Sequence, residues 1–182
     1  TLTINAGATT GIITISDIVD DSLDEMDETI IISLSNPANA TLGTNVVHTV
    51  TIQDDDSPPD IDFDLISSSG GEANASKAIT VNLSAISSKD VTVDYVVTGT
   101  ATGSGTDYAL ANGTLTISAG STSGTITIEN IADDSLDEEN ETVIITLSSP
   151  SNATLGSDNV HTYTITDNDS APVVDFNITS SS

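Results

Sequence analysis

Thr114-Leu-Thr-Ile-Ser-Ala-Gly120 alternates polar and apolar side chains for the length of a short strand, then turns, and the chain carries this stretch twice. A shift of 113 residues lays it on Thr1-Leu-Thr-Ile-Asn-Ala-Gly7. The match then runs without a gap to the C-terminus, with 44 of 69 aligned pairs identical. Self-similarity at a fixed period marks an array of structural units. The unit here is about 113 residues long, and the 182-residue chain is read as parts of a tandem array. In this register residues 57–169 are one complete repeat. Residues 1–56 are the C-terminal half of the preceding repeat, and 170–182 open the next. Because residue 1 enters a repeat midway, the chain is expected to be a segment of a longer protein.

Working outward from that stretch, the complete repeat shows period-two alternation in seven segments, as half-buried strands do. They are Ile61–Leu65, Ile79–Leu83, Val91–Val97, Thr114–Ile117, Thr125–Ile128, Thr142–Leu147 and Thr162–Ile165. Thr, Val and Ile dominate them, the β-branched residues that suit a pleated surface. Turns are expected between them at Ser68-Ser-Gly-Gly71, Thr102-Gly-Ser-Gly105 and Ala119–Gly124, and Ser149–Ala153 is given a single turn at most. No stretch sustains helical periodicity. Seven strands in one cysteine-free unit predict an all-β fold: tandem immunoglobulin-like two-sheet β-sandwich repeats. The expected core is Phe63, Leu65, Ile79, Val81, Leu83, Val91, Val93, Tyr95, Leu115, Ile117, Ile126, Ile128, Val143, Ile145, Leu147 and Ile165. Residues 1–56 hold only the last four strands of a unit and cannot fold alone. The linker Ser57-Pro58-Pro59-Asp60 favours a stiff, extended joint, because paired prolines restrict the chain.

Composition narrows the function classes. Twenty-eight acidic residues face two basic ones, Lys77 and Lys89, for a formal charge of −26. Phosphate recognition needs a basic footprint, so a nucleic-acid partner is excluded. No run of about 18 apolar residues is present, so direct membrane insertion is not expected. The absence of cysteine removes disulfides, thiolate metal sites and cysteine nucleophiles. Acidic, cysteine-free, Thr/Ser/Asn-rich repeats are a habit of large surface proteins, and an extracellular or cell-surface setting is expected. Eight Asn-x-Ser/Thr sequons, Asn39 and Asn152 among them, follow from that composition and carry no assignment.

The acidic residues cluster. Asp133-Asp-Ser-Leu-Asp-Glu-Glu-Asn-Glu141 lies between two expected strands and Asp167-Asn-Asp169 at the exit of the last, and both recur in the earlier copy. A solvated charge run accounts for most acidic loops. Against it, both clusters sit at strand ends, where they converge on one pole, and almost no cation exists to neutralise them. Two like charges about 4 Å apart cost roughly 1 kcal/mol even in bulk water. Ca²⁺ supplies the counter-charge and accepts a mixed shell of carboxylates, carbonyls and water. Mg²⁺ demands stricter geometry and zinc wants His or Cys. The spacing is not that of an EF-hand, which needs a central Gly and flanking helices.

The order Gly-rich loop, Thr106-Asp107-Tyr108, strand, Asp-Asp-x-Leu-x-Glu, Glu-Thr-strand, Asp-x-Asp resembles the Calx-β domain, a calcium-binding sandwich of sodium/calcium exchangers, integrin β4 and large bacterial surface proteins. The resemblance spans all of 57–169. It implies Ca²⁺ ligands from Glu72, Asp107, Asp133, Asp134, Glu138, Asp167 and Asp169, joined by the carbonyl of Leu136 and the side chain of Asn168. In the earlier copy Asp20, Asp21, Glu25, Asp54, Asp55 and Asp56 match the motif, but partners equivalent to Glu72 and Asp107 are missing, leaving that site incomplete. The triplet Asp-Asn-Asp carries one charge fewer than Asp54-Asp-Asp56. His48 and His161 hold the same repeat position and read as surface strand residues. Tyr108 reads as a packing anchor.

The resulting expectation is a calcium-binding structural repeat of a long secreted fibre or adhesin, with Ca²⁺ at the domain poles. Its partners would be neighbouring repeats of the same chain, and like chains in a filament or matrix. An intracellular calcium sensor and a ligand-binding adhesion module are the competing readings. With one histidine per repeat and no visible substrate cleft, the module is expected not to be an enzyme.

Overall fold

Strands that bury every second side chain need partners on both edges, and the chain supplies them unequally. The structure, a computed structural model, describes residues 1–177. The first half-repeat contains β1 (Glu28–Ser33) and β2 (Val47–Ile52), an antiparallel pair with Glu28 opposite Ile52. Within 57–169 follow β3 (Asp60–Phe63), β4 (Ser67–Gly71), β5 (Ser76–Leu83), β6 (Val91–Gly99), β7 (Gly113–Ile117), β8 (Ser123–Glu129), β9 (Glu141–Ser151), β10 (Thr154–Leu155) and β11 (Val160–Thr166). They form two sheets, β10-β3-β5-β8 and β4-β11-β9-β6-β7. This is the all-β, two-sheet sandwich that the alternation predicts.

The inner faces meet in one core, and all of its buried apolar residues lie between Ile61 and Ile165. Ile79, Val81 and Leu83 of β5 face Val91, Val93, Val143, Ile145 and Leu147 of the other sheet within this cluster. Fully burying each such side chain contributes about 1.5–3 kcal/mol. The unit 57–169 therefore carries a complete core of its own.

Several expectations need correction. Ser68–Gly71 is not a turn but part of β4, an edge strand running parallel to β11. Edge pairing uses only backbone groups, and Gly70 leaves room for the Tyr163 hydroxyl, with which any Cβ there would collide. Ser149–Ser151 is not a turn either; β9 continues through it by way of a bulge opposite Thr92 and Asp94, which is where a strand tolerates Pro150. Leu65 is 58% exposed, because β3 ends at Phe63 and the chain bends before β4. Ile61, Ala101, Tyr108, Ile131 and Tyr163 complete the core, while Tyr95 and Leu115 only flank it.

His161 is the clearest reversal. It is buried, packs at 5.5 Å between ring centroids against Phe63, and pairs through Nε2 with Ser68 Oγ at 2.9 Å and through Nδ1 with the Leu65 carbonyl. Both ring nitrogens are thus satisfied inside the protein, which permits its burial. His48, in the earlier copy, is exposed as expected.

The linker is pinned at one point: Pro59 is buried and its carbonyl accepts a hydrogen bond from the Thr154 N–H at 2.9 Å. Beyond the unit, residues 170–177 form no strand, and Val173, Val174 and Phe176 are exposed. The remaining part of the expected next repeat, 178–182, lies outside the described residues.

Candidate metal centre

β4, β6, β8 and β11 all end at the pole where β9 begins, so the segments that follow them converge there. Glu72 leaves β4 directly, and its N–H donates to the Thr166 carbonyl at 3.3 Å. Asp107 arrives on the loop after β6. That loop departs through Gly99 (φ +133°), where a Cβ would collide with the Thr142 carbonyl. The Asp107 N–H donates to the Thr102 carbonyl at 3.0 Å, and its carboxylate accepts from the Thr102 N–H. Tyr108, next in sequence, is buried in the core and anchors the loop, as the sequence suggests.

The acidic run between β8 and β9 is folded by its own groups. Asp134 Oδ1 accepts the Leu136 N–H at 2.7 Å, and the Ala132 N–H reaches back to the Asp107 carbonyl at 2.9 Å. The exit of β11 is tied to the same run. The Asp167 N–H donates to Asn140 Oδ1 at 3.1 Å, and Asn168 Nδ2 donates to Asp133 Oδ1 at 3.0 Å. The Asp169 N–H closes a turn onto Asp167 Oδ1 at 3.3 Å.

These constraints bring carboxylate oxygens of Glu72, Asp134 and Asp169 within 4.8 Å of one another. Glu72 is buried, and Asp169 Oδ2 is buried with no hydrogen-bond partner. Beside them opens a cleft of about 200 Å³ lined by Glu72, Asp107, Asp134, Glu138, Glu139 and Glu141, among others. Burial first, then the charges of Asp167, Asp169, Glu138 and Asp134, push the Glu72 carboxyl above its ordinary value. Burial, then Asp167, Asp133, Asp134 and Asp137, do the same to Asp169. Among the described residues the only ion pairs belong to Lys89, which contacts Asp24 and Asp54 in the other copy, so no ammonium group relieves this pole.

Of the residues singled out in sequence, Glu72, Asp134 and Asp169 meet directly. Asp107 and Glu138 line the cleft, and Asp133 and Asp167 act on the group through their charge. Asn168 spends its amide N–H on Asp133, which leaves its carbonyl oxygen for other use. Leu136 contributes its N–H to the loop and exposes its side chain. Glu141 was missed. Burial first, then the charge of Asp107, a hydrogen bond to it and Glu138, raise its carboxyl. Its place as the first residue of β9, directly after the acidic run, was the available signal.

The earlier copy repeats half of this scaffold. Asp21 Oδ1 accepts the Leu23 N–H at 2.8 Å, and the Asp54 N–H donates to Asp27 Oδ1 at 3.2 Å. Asp20, Asp21, Glu25, Asp54, Asp55 and Asp56 line an open cleft of about 380 Å³. Burial, then Asp54, Asp55, Asp20 and Asp21, raise the Asp56 carboxyl.

The family model of the Calx-beta domain matches residues 1–56 and 54–169, nearly the whole chain. The chain belongs to the Calx-beta domain family. The apo-form Calx CBD1 domain is similar at 27% identity and a TM-score of 0.55, over 61% of this chain and 98% of that one. CBD12 from CALX1.2 is similar at 25% identity and a TM-score of 0.54, over 59% of this chain and 44% of that one. The calcium binding domain CBD12 of CALX1.1 gives 26% and 0.53, over 60% of this chain and 46% of that one. The chain thus spans less than half the length of either CBD12 structure. No curated protein sequence matches it. Donor chemistry at this Calx-beta pole suits a hard cation: the donors are oxygens, they carry excess charge, and one of them is buried and orphaned.

Proposed function

We propose that this chain is a calcium-binding structural repeat of a long secreted or cell-surface protein, with Ca²⁺ holding the acidic pole of each sandwich and stiffening the joint to the next. One observation carries the reading. Asp169 Oδ2 is buried without a partner, in a carboxylate that lies within 4.8 Å of those of Glu72 and Asp134. A buried, unpaired carboxylate oxygen among like charges is costly, and a divalent cation removes that cost. Glu72, Asp107, Asp133, Asp134, Glu138, Asp167 and Asp169 would hold it, with the Leu136 carbonyl and the Asn168 amide oxygen. In the half-repeat, Asp20, Asp21, Glu25, Asp54, Asp55 and Asp56 form part of a second such site. The similarity to a solved calcium binding domain supports the choice of ion. When bound, calcium supplies counter-charge; orienting the donors is the work of the loop hydrogen bonds. The role is structural and not enzymatic, and its partners are neighbouring repeats, with like chains in a filament or matrix.

Calorimetric titration of 57–169 with calcium, with a melt at each end point, tests this. Binding to the native state adds RT ln(1 + [L]/Kd), about 2.7 kcal/mol at a hundredfold excess over Kd. A melting midpoint that is the same in EDTA and in calcium would return the clusters to solvated loops and the unit to a plain spacer. The competing reading is an intracellular calcium sensor. Submicromolar affinity would select the sensor, and tens of micromolar or weaker the structural ion.

A further inference from the structure

β5 leads away from the acidic pole, so the loop between β5 and β6 lies at the opposite end of the sandwich, against the half-repeat. Here the chain uses one of its two lysines. Lys89 Nζ donates to Asp24 Oδ1 at 2.7 Å and lies 3.6 Å from Asp54 Oδ2. Ser87 Oγ donates to Asp24 Oδ2 at 2.7 Å. The Asp24 carbonyl accepts the Ser88 N–H at 3.0 Å and Ser88 Oγ at 3.1 Å. Asp24 and Ser87 pair as a short parallel bridge, and both are buried. The tripeptide Ser87-Ser88-Lys89 thus occupies both carboxylate oxygens and the carbonyl of one aspartate.

Asp24 is the fifth residue of Asp20-Asp-Ser-Leu-Asp-Glu25, and 133–138 has the identical sequence with Asp137 in that place and Asp167 in place of Asp54. The two segments are folded alike, since Asp21 caps Leu23 at 2.8 Å and Asp134 caps Leu136 at 2.7 Å. They differ in occupancy. Asp137 is exposed and takes part in no side-chain hydrogen bond or ion pair among the described residues. The fifth position of one hexapeptide is therefore engaged in one copy and without a side-chain partner in the other, among the described residues.

We propose that Asp137 is the docking point for the Ser-Ser-Lys loop of a further copy of this repeat, joining repeats head to tail through a clasp whose hydrogen bonds need no bound cation. The part of the run that suits such a loop is Asp137, which is not among the proposed cation donors. It offers a main-chain carbonyl and a carboxylate side by side, and in the filled copy these take an N–H, two hydroxyls and an ammonium group. A metal ion donates no N–H to that carbonyl. A contact between two different surfaces of the same unit is heterologous, and in a covalent tandem it can recur at each joint.

The test is zero-length carbodiimide coupling in EDTA, which joins a carboxylate to an amine only where they touch, read by peptide mass spectrometry. Two proteins are compared: the 182-residue chain, and a tandem of two 57–169 units joined Asp169 to Ser57. The unit carries its own complete core, so the tandem is a fair substrate. The expected products are Asp24–Lys89 in the first protein and, in the second, Asp137 of the leading unit joined to Lys89 of the trailing one. Asp137→Asn abolishes the second product in a tandem whose units remain folded by circular dichroism, and Glu139→Gln leaves it intact. A tandem that couples Lys89 to scattered carboxylates, or that lacks the Asp137 product while Asp24–Lys89 forms, overturns the proposal. Loss of the Asp24–Lys89 product itself overturns it at the root.

Discussion

Residues 1–56 and 114–169 align without a gap and are identical at 37 of 56 positions, yet they do not fold alike. In the second stretch the segments Gly113–Ile117 and Ser123–Glu129 are β7 and β8; in the first, Thr1–Ile4 and Gly11–Ile15 form no strand. β7 pairs with β6 and β8 with β5, and both partners belong to the first half of a repeat, which 1–56 lacks. β9 and β11 pair with each other, so their counterparts β1 and β2 survive. They even keep the register, Glu28 opposite Ile52 as Glu141 is opposite Ile165. Alternation specifies which face a strand buries, but a strand exists only where a neighbour completes its hydrogen bonds. The same division governs the acidic poles. Both copies build the Asp-capped turn, but only the complete repeat adds Glu72 and Asp107 to it.

The largest effect should come from breaking this asymmetry in the core. Ile126 and Ile13 are the same repeat position, 3% and 47% exposed. Ile126→Ala should cost about 2–5 kcal/mol in denaturant unfolding, and Ile13→Ala less than about 0.5 kcal/mol. Equal losses would mean that the half-repeat has a core of its own.

Glu72 separates the poles next. Glu72→Gln removes one charge from the crowded group, so the melt in EDTA should rise, by up to about 1 kcal/mol. Calcium affinity measured by calorimetry should fall about tenfold or more, since ligand charge sets affinity. A variant that is less stable in EDTA would identify Glu72 as a structural hydrogen-bonding residue instead.

The sequence displays part of this architecture directly and hides the rest. Repeat, sandwich and acidic pole are periodic or compositional features, and they were legible. β4 was not, because an edge strand made of Ser and Gly carries no hydrophobic signal; its evidence is the ladder to β11. His161 looked like a surface residue because the satisfaction of both ring nitrogens by Ser68 and Leu65, 93 and 96 residues away, is invisible in one dimension. At the pole, Glu72 and Asp107 came only through resemblance, as each stands alone in sequence. Glu141 was hidden by its neighbours, since burial sets it apart from an acidic run that is otherwise solvated.

A smaller effect follows from pH. Glu72, Glu141 and Asp169 are all raised above their ordinary values, so these three groups hold more protons in the folded apo protein than in the unfolded chain. Stability in EDTA should therefore fall as pH rises from about 5 toward neutrality, with the highest melting midpoint on the acid side. Calcium requires the deprotonated carboxylates, so in saturating calcium the order should reverse. The joint responds differently. Burial works to raise Asp24, but the hydrogen bonds from Lys89 and Ser87 outweigh it and leave its carboxyl lowered, while Asp24 raises Lys89. Its contribution is present between about pH 4 and about pH 10 and is lost outside those limits. Coupling of Lys89 to Asp24 should thus persist at pH 7.5, where the apo pole is weakest.

The finest difference between the copies is one atom pair. Asn168 stands where the earlier copy has Asp55, and its amide donates to Asp133 Oδ1 at 3.0 Å. Asn168→Asp replaces a donor with an acceptor facing a carboxylate. In EDTA the melt should drop by a few tenths of a kcal/mol to about 1 kcal/mol, the range of one lost hydrogen bond at an exposed site. With calcium the extra charge becomes useful, and affinity should rise severalfold. Opposite signs in the two conditions are the signature of a group that exchanges apo stability for cation binding. If both measurements fall together, Asn168 is a structural tie between Asp133 and the exit of β11, and the missing charge in the second triplet is a local adjustment with no bearing on the ion.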